Sequence, residues 1–288
     1  MTEVFIQGLG LIGSSLARAI RQRRGDVTVV GFDANPESLQ WAAAHHVVDQ
    51  VASDLTDAQT ADIIILATPV TQIVADLARL AHLPLKSGVI VTDTGSTKAA
   101  VMRAATDLMA TGVTFVGGHP MAGSEKSGVR AGRAGLFAEA HYFLVNGNAT
   151  APEIMALRNI LSAAGAYFET VNATQHDELV GHISHVPHVV AAALAINAAD
   201  GLAQTPETLA FAAGGFRDTT RIAASDPTMW TAIMQSNTDV IVQELAAYEQ
   251  RLAAIRTAVA NHDEAAVSAF FTRAQEIRRG MDEDDPYR

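Results

Sequence analysis

The residues of this chain best suited to chemistry are the glycines of Gly8-x-Gly10-x-x-Gly13, the carboxylate of Asp33, the imidazole of His119 and the guanidinium pair Arg217 and Arg221. The glycines follow a β-forming run, Val4, Phe5 and Ile6, and lead into an apolar-periodic segment marked by Leu16, Ala17 and Ile20. In that context the first glycine permits a tight turn, the second lets backbone N–H groups approach a pyrophosphate, and the third lets helix and strand pack closely. Asp33 ends the next apolar strand, Val27 to Phe32, and lies 20 residues beyond Gly13. A carboxylate there accepts hydrogen bonds from an adenosine ribose, whereas a purely structural turn leaves its placement unexplained. The pattern predicts a dinucleotide site, with Leu11 and Ile12 in the turn and Thr68 and Pro69 past a later strand. Asp33 repels a 2′-phosphate and neither Ala34 nor Asn35 supplies a cation, so NAD is expected over NADP.

Further polar clusters sit where elements end. Ser96, Thr97 and Lys98 follow the apolar run GVIVT and face the ligand crevice of an α/β sheet, although Ser96 or Thr97 could simply cap the next helix. His119 stands in GGHPMAGSE, where Pro120 holds it extended and the glycines are expected to admit a ligand. A neutral imidazole suits oxidation of an alcohol, because loss of hydride makes the hydroxyl proton acidic. His176, Asp177, His182, Ser184, His185 and His188 cluster around Pro187, which deprives the Ile183 carbonyl of its helical donor and bends the helix. His182, His185 and His188 drift by about 60° per three-residue step. No carboxylate or cysteine completes a metal shell, so contacts to substrate and to the freed carbonyl are expected and no metal is. Arg217 and Arg221 are spaced i, i+4, and Asp218 is placed to orient Arg221. Such a planar fork clamps a carboxylate.

The elements that must position these groups alternate through the first half. Strands are predicted at 61–68, 88–92, 113–116, 142–145 and 166–171, with helices between them, one opening at Asn35-Pro36 and another spanning 152–163. This is the signature of a doubly wound, mostly parallel Rossmann-type sheet with ligands at the carboxyl ends of its strands. From about Ala173 the chain is alanine-rich and helical. One helix is expected over 174–199, a long one from Asp226-Pro227 through Ile255, and a last one over 263–279 ending at Gly280. The expected division is 1–172 for the dinucleotide and 173–288 for substrate and a homodimer.

Composition bounds the rest. A chain of 288 residues with 49% hydrophobic and 18% charged residues has ample core for a globular protein. The absence of cysteine excludes disulfides and thiolate chemistry and fits a reducing, cytoplasmic compartment. No signal peptide is expected, and apolar runs such as Ile63 to Ala67 are too short to cross a bilayer. A net charge of -11 argues against nucleic acid and requires a local cation if the substrate is anionic.

With those clusters assembled, the chain resembles the prephenate dehydrogenases, a family that includes arogenate dehydrogenases. The resemblance runs through GLGLIGSSLA, DTGSTK, GGHPMAGSEKSG, HDELVGHISHVPH and GGFRDTTRIAASDPTMW. It implies a nucleotide domain, a helical dimerisation domain and a site in the cleft between them, with no mutase or sensing domain attached. It implies that His119 accepts a hydrogen bond from the ring C4 hydroxyl, that Ser96 bridges His119 and the nicotinamide region, and that Arg221, oriented by Asp218, grips a carboxylate. Ser124 and Glu125 then lie at the mouth of the site and His188 near the substrate. The implied reaction is NAD-linked oxidative decarboxylation of prephenate to 4-hydroxyphenylpyruvate, with arogenate to tyrosine as the alternative. A β-hydroxyacid or 6-phosphogluconate-type dehydrogenase would need a lysine base, and no lysine follows Lys126. A non-catalytic NAD-binding sensor would have lost Ser96, His119 or Arg221.

Overall fold

The computed structural model describes residues 1–124 and 126–283. An eight-stranded sheet is built from β1 (Thr2–Gln7), β2 (Val27–Phe32), β3 (Gln50–Val51), β4 (Ile63–Leu66), β5 (Ile90–Asp93), β6 (Thr114–Pro120), β7 (His141–Asn146) and β8 (Tyr167–Thr170). Its order is β3-β2-β1-β4-β5-β6-β7-β8, and only the β6–β7 pairing is antiparallel. Helices α1 (Leu11–Arg23), α2 (Pro36–Ala44), α3 (Val70–Leu80), α4 (Ala99–Ala104), α5 (Thr106–Ala110) and α6 (Ala151–Leu161) cross between strands. Adjacent strand residues point to opposite faces, so Val4 and Ile6 pack with Leu16 and Ile20 of α1 and Leu157 of α6. Phe5 and Ile64 pack on the other face with Ile73 and Leu77 of α3. Burial on both faces explains why these strands are continuous apolar runs, the pattern of a parallel sheet. The strand β3 was not legible: its two residues are exposed and carry no periodic signal.

Beyond β8 the described chain is helical: α7 (Ala173–Val180), α8 (Val186–Gly201), α9 (Gly214–Thr220), α10 (Pro227–Ser236), α11 (Thr238–Ala260) and α12 (Glu264–Glu283). Helices α7 and α8 are joined without a break by a π turn over Gly181–His185, in which Val186 N–H donates to the Gly181 carbonyl. Pro187 lacks the donor that a regular ladder needs, and widening the turn by one residue absorbs the loss. His188 Nδ1 donates to Ser184 O at 2.9 Å, not to the expected Ile183.

Three helical expectations need correction. The helix opened by Asp226 stops at Ser236, because Asn237 leaves helical geometry and spends its side chain on Asp177 O at 2.9 Å and His185 Nδ1 at 3.2 Å. The last helix passes through Gly280 to Glu283. One interior glycine costs about 1 kcal/mol, too little to end a helix whose next residues tolerate it. The continuous helix Ala173–Gly201 is also long and apolar enough to cross a membrane by length and composition, and much of it is not buried. The apolar stretch from Val189 to Ile196 and the alanines beyond it carry that character, although no unbroken run reaches the thickness of a bilayer.

The chain forms two compact units, Met1–Thr238 and Asp239–Arg288. The first holds the whole sheet and every helix through α10. The second consists of the remainder of α11 and α12, the latter capped by Asp263, whose carboxylate accepts from Ala266 N–H at 2.9 Å.

Candidate active site

The glycine turn between β1 and α1 has the form the sequence requires. Gly8 sits at φ +91°, and a Cβ on Gly13 would lie 1.9 Å from the Gly8 carbonyl oxygen. A Cβ on Gly10 would meet nothing within 4 Å, so that position opens onto free space at the start of α1. Asp33 ties the turn to the end of β2 by accepting from Leu9 N–H at 2.7 Å and from Asn35 N–H at 2.9 Å. Leu11 and Ile12 form the first turn of α1, half-buried. Thr68 and Pro69 follow β4, and the buried Thr68 hydroxyl has no partner among the described residues. This cradle fits a dinucleotide pyrophosphate at a helix N-terminus.

His119 lies at the carboxyl end of β6, buried, opposite Phe143 of β7. Its Nδ1 is 2.8 Å from Nε2 of His176, and Nδ1 of His176 is 2.8 Å from Oδ1 of Asp177. The Asp177 carboxylate also accepts from the N–H groups of Lys98 at 2.7 Å and Ala99 at 2.8 Å. The cap of α4 therefore comes from α7, and neither Ser96 nor Thr97 serves it. The two carboxylate oxygens reach the N–H groups of two successive residues, whereas an N-cap hydroxyl ordinarily accepts from one. Thr97 instead hydrogen-bonds Ser236 of α10 at 3.0 Å. Beneath His119 the buried ammonium of Lys98 is paired with Asp93 and donates to Gly118 O at 2.7 Å. A Cβ on Gly118 would sit 2.4 Å from the Asp93 carbonyl oxygen. The glycine before His119 thus serves close packing of β6 on β5.

The helices contribute a second group. His185 and His188 both face Trp230 of α10, His188 stacked on it with centroids 3.7 Å apart. Arg221 is exposed in a 3-10 turn after α9, and its charge acts on His188. Asp218 is exposed and makes no ion pair with Arg221 among the described residues, against expectation. An exposed pair gains little over full hydration, so nothing holds the two together. Ser96 is half-buried in the loop after β5. Its hydroxyl makes no hydrogen bond among the described residues. Ser124 is exposed and accepts from Lys126 N–H at 3.1 Å. Glu125 lies outside the described residues. The structure therefore joins His119 to His176, Asp177 and Lys98, residues that sequence reasoning noticed without assigning this role. The adjacency of His176 and Asp177 near a helix start was the available signal.

Burial sets the protonation of this site. It pushes His119 well below its ordinary value, helped by neighbouring His176, Lys98 and His185. Burial lowers His176 as well, against the opposing carboxylate of Asp177. His185 is brought down to about 4 by burial, and burial also lowers His188. For Asp177 burial acts upward, but the bonds from His176, Lys98 and Ala99 outweigh it and hold the carboxyl below its usual range. A histidine kept neutral in the fold is protonated by the unfolded chain near pH 6.5, so the unfolded state binds more protons as pH falls. Stability is full above pH 6.5 and is lost as pH drops to the folded value, about 4 for His185. His185 alone accounts for roughly 3 kcal/mol over that window. Thermal melts are expected to show Tm falling steadily from pH 6.5 to 4. A flat Tm there would contradict the neutral cluster.

Residues 16–170 match the family described as prephenate dehydrogenase, nucleotide-binding domain, and residues 172–273 match prephenate dehydrogenase, dimerization domain. A prephenate dehydrogenase of Lactococcus lactis is 37% identical over 283 residues, covering 98% of this chain and 78% of that protein. The Aquifex aeolicus prephenate dehydrogenase, solved with hydroxyphenyl propionate and NAD+, superposes with TM-score 0.87 at 27% identity over 98% of both chains. Synechocystis arogenate dehydrogenase superposes with TM-score 0.79 at 31% identity, covering 97% of this chain and 100% of that one.

Proposed function

The chain belongs to the prephenate dehydrogenase family, and from that premise we infer an NAD-dependent oxidoreductase that converts prephenate to 4-hydroxyphenylpyruvate and CO2 on the route to tyrosine. The single observation that carries the chemistry is the buried His119 at a strand's carboxyl end, with its Nδ1 against His176, where burial favours the neutral ring. That arrangement supports a ring whose Nε2 accepts from the substrate's C4 hydroxyl as charge builds on its oxygen. Gly8, Gly10, Leu11, Ile12 and Gly13 would hold the cofactor pyrophosphate, Asp33 the ribose hydroxyls, and Thr68 and Pro69 would line its path. NAD+, when bound, supplies the two-electron oxidant. Departure of the ring carboxylate makes the product aromatic, so the protein's tasks are orientation and charge stabilisation.

Prephenate is a dianion entering a chain of net charge -11, and Arg221 supplies a cation for one of its carboxylates, with His188 beside it. Ser96, Ser124, Glu125 and Asp218 are assigned to the surroundings of the substrate. We keep 1–172 as the cofactor region and 173–288 as the region for substrate and dimerisation. The exposed Ile183, Leu194 and Ile196 on the Ala173–Gly201 helix support coverage by a second copy of the chain. Because that helix also carries His176, Asp177 and His185 into the site, it is assigned to the protein and not to a bilayer, and the enzyme to the cytoplasm. Likeness to an arogenate dehydrogenase favours arogenate as the second reading of the substrate.

The test is absorbance at the NADH band with purified protein, prephenate or arogenate, and NAD or NADP, run in parallel. NADH formation from prephenate is expected. Calorimetric NAD binding without turnover of either substrate would overturn the assignment.

A further inference from the structure

We propose that His176 and Asp177 are positioning residues that lock His119 in one tautomer, protonated at Nδ1 and bare at Nε2. The assignment follows from counting donors along the chain of contacts. Three donors converge on the Asp177 carboxylate: Lys98 N–H at 2.7 Å and His176 Nδ1 at 2.8 Å on Oδ1, and Ala99 N–H at 2.8 Å on Oδ2. A carboxylate so surrounded acts only as an acceptor, so the proton of a neutral His176 sits on Nδ1. Its Nε2 then has only a lone pair to offer. His119 Nδ1, 2.8 Å away, must donate to it. In a neutral His119 this leaves Nε2 as the one ring atom able to accept a proton.

The reverse arrangement requires His176 to be an imidazolium donating from both nitrogens. Both rings are buried, and the fully buried Lys98 ammonium lies nearby, so a second cation there is disfavoured. The lowered proton affinity of both histidines agrees with the neutral form. The geometry is held from three sides. Asp177 is fixed by α4 through two backbone donors, its carbonyl accepts from Asn237 at 2.9 Å, and the Phe143 ring packs edge-on against His176 at 5.6 Å. An acid that orients a histidine which in turn orients the reacting histidine extends a familiar outer-shell logic by one ring.

The catalytic consequence rests on His119 being the acceptor in the proposed reaction, but the tautomer does not. It is therefore read first, in the full-length protein without substrate, from long-range 1H–15N spectra of 15N-histidine-labelled material. The His119 ring is identified by its disappearance in His119→Asn. The expected spectrum has His119 neutral with its proton on Nδ1. A proton on Nε2 overturns the proposal whatever the turnover. Correct tautomer with no turnover of either substrate leaves the relay standing and removes the reaction. In His176→Leu the Nε2–H form is expected to appear and kcat to fall on the order of 10–10²-fold, with KM within about twofold, part of the 10²–10⁴-fold worth of a positioned base. His176→Gln, whose Oε1 can accept near the Nε2 position, is expected to recover most of that loss. Equal loss in both variants, with the wild-type tautomer kept, would mean that His176 only packs, and would also overturn the proposal.

Discussion

Replacing His119 by asparagine is expected to lower kcat by about 10²–10⁴-fold, the usual worth of a positioned base, while KM for prephenate changes only a few-fold. Asparagine is the informative choice. Its amide N–H can reach the place of Nδ1 and keep donating to His176, 2.8 Å away in the native site, so the buried network stays satisfied. What it lacks is an acceptor at the Nε2 position. Loss concentrated in kcat follows if the contact strengthens as the hydroxyl gives up its proton. A variant with near-normal turnover at neutral pH would remove His119 from the reaction. A parallel rise in KM alone would make it a binding residue.

Replacing Arg221 by alanine is expected to raise KM for prephenate by roughly 10–100-fold, from the 1.5–3 kcal/mol of a charge-assisted hydrogen bond, with a much smaller change in kcat. The side chain is exposed and makes no ion pair among the described residues, so its removal costs the fold little and Tm should not move. Arg221→Lys should recover only part of the affinity, because an ammonium cannot make two parallel bonds to a carboxylate. Steady-state kinetics with varied prephenate at saturating NAD checks both variants. An unchanged KM in Arg221→Ala would mean that the required cation lies elsewhere. The absence of a pair with Asp218 gives this experiment a further use. Asp218→Ala should leave KM nearly unchanged if Arg221 is free to meet substrate without it.

The reach of sequence reasoning can be judged from particular residues. The glycine turn, the run from Val27 to Phe32 and its terminal Asp33 were legible because their physics is local. A tight turn, a close approach of helix to strand and a carboxylate one strand away all lie within 33 residues. Asn35 and Asp226 announced their helices for the same reason, each accepting from a backbone N–H two or three residues on. Pro187 announced a perturbed ladder, although which carbonyl His188 would reach depended on the π turn that the helix adopted.

Legibility ended where partners are distant along the chain. His119 and His176 are 57 positions apart, Lys98 and Asp177 are 79, and Asn237 and Asp177 are 60. Nothing in the periodicity of α10 and α11 marks Asn237 as a break, because the two tertiary hydrogen bonds that take it out of the helix come from other elements. Gly118 shows the same limit, since its lack of a side chain answers to the backbone of β5.

By itself, then, the amino-acid sequence determined the alternating sheet, the dinucleotide turn and the residue types available for proton transfer and anion binding. Each depends on spacing within a single turn, strand or helix. The tertiary structure decided which of ten histidines meets which, that Asp177 anchors the pair while capping α4, and that Asp218 and Arg221 stay apart. Those outcomes depend on how the ends of β6, α4 and α7 converge in space, and convergence of distant segments leaves no periodic trace in the chain.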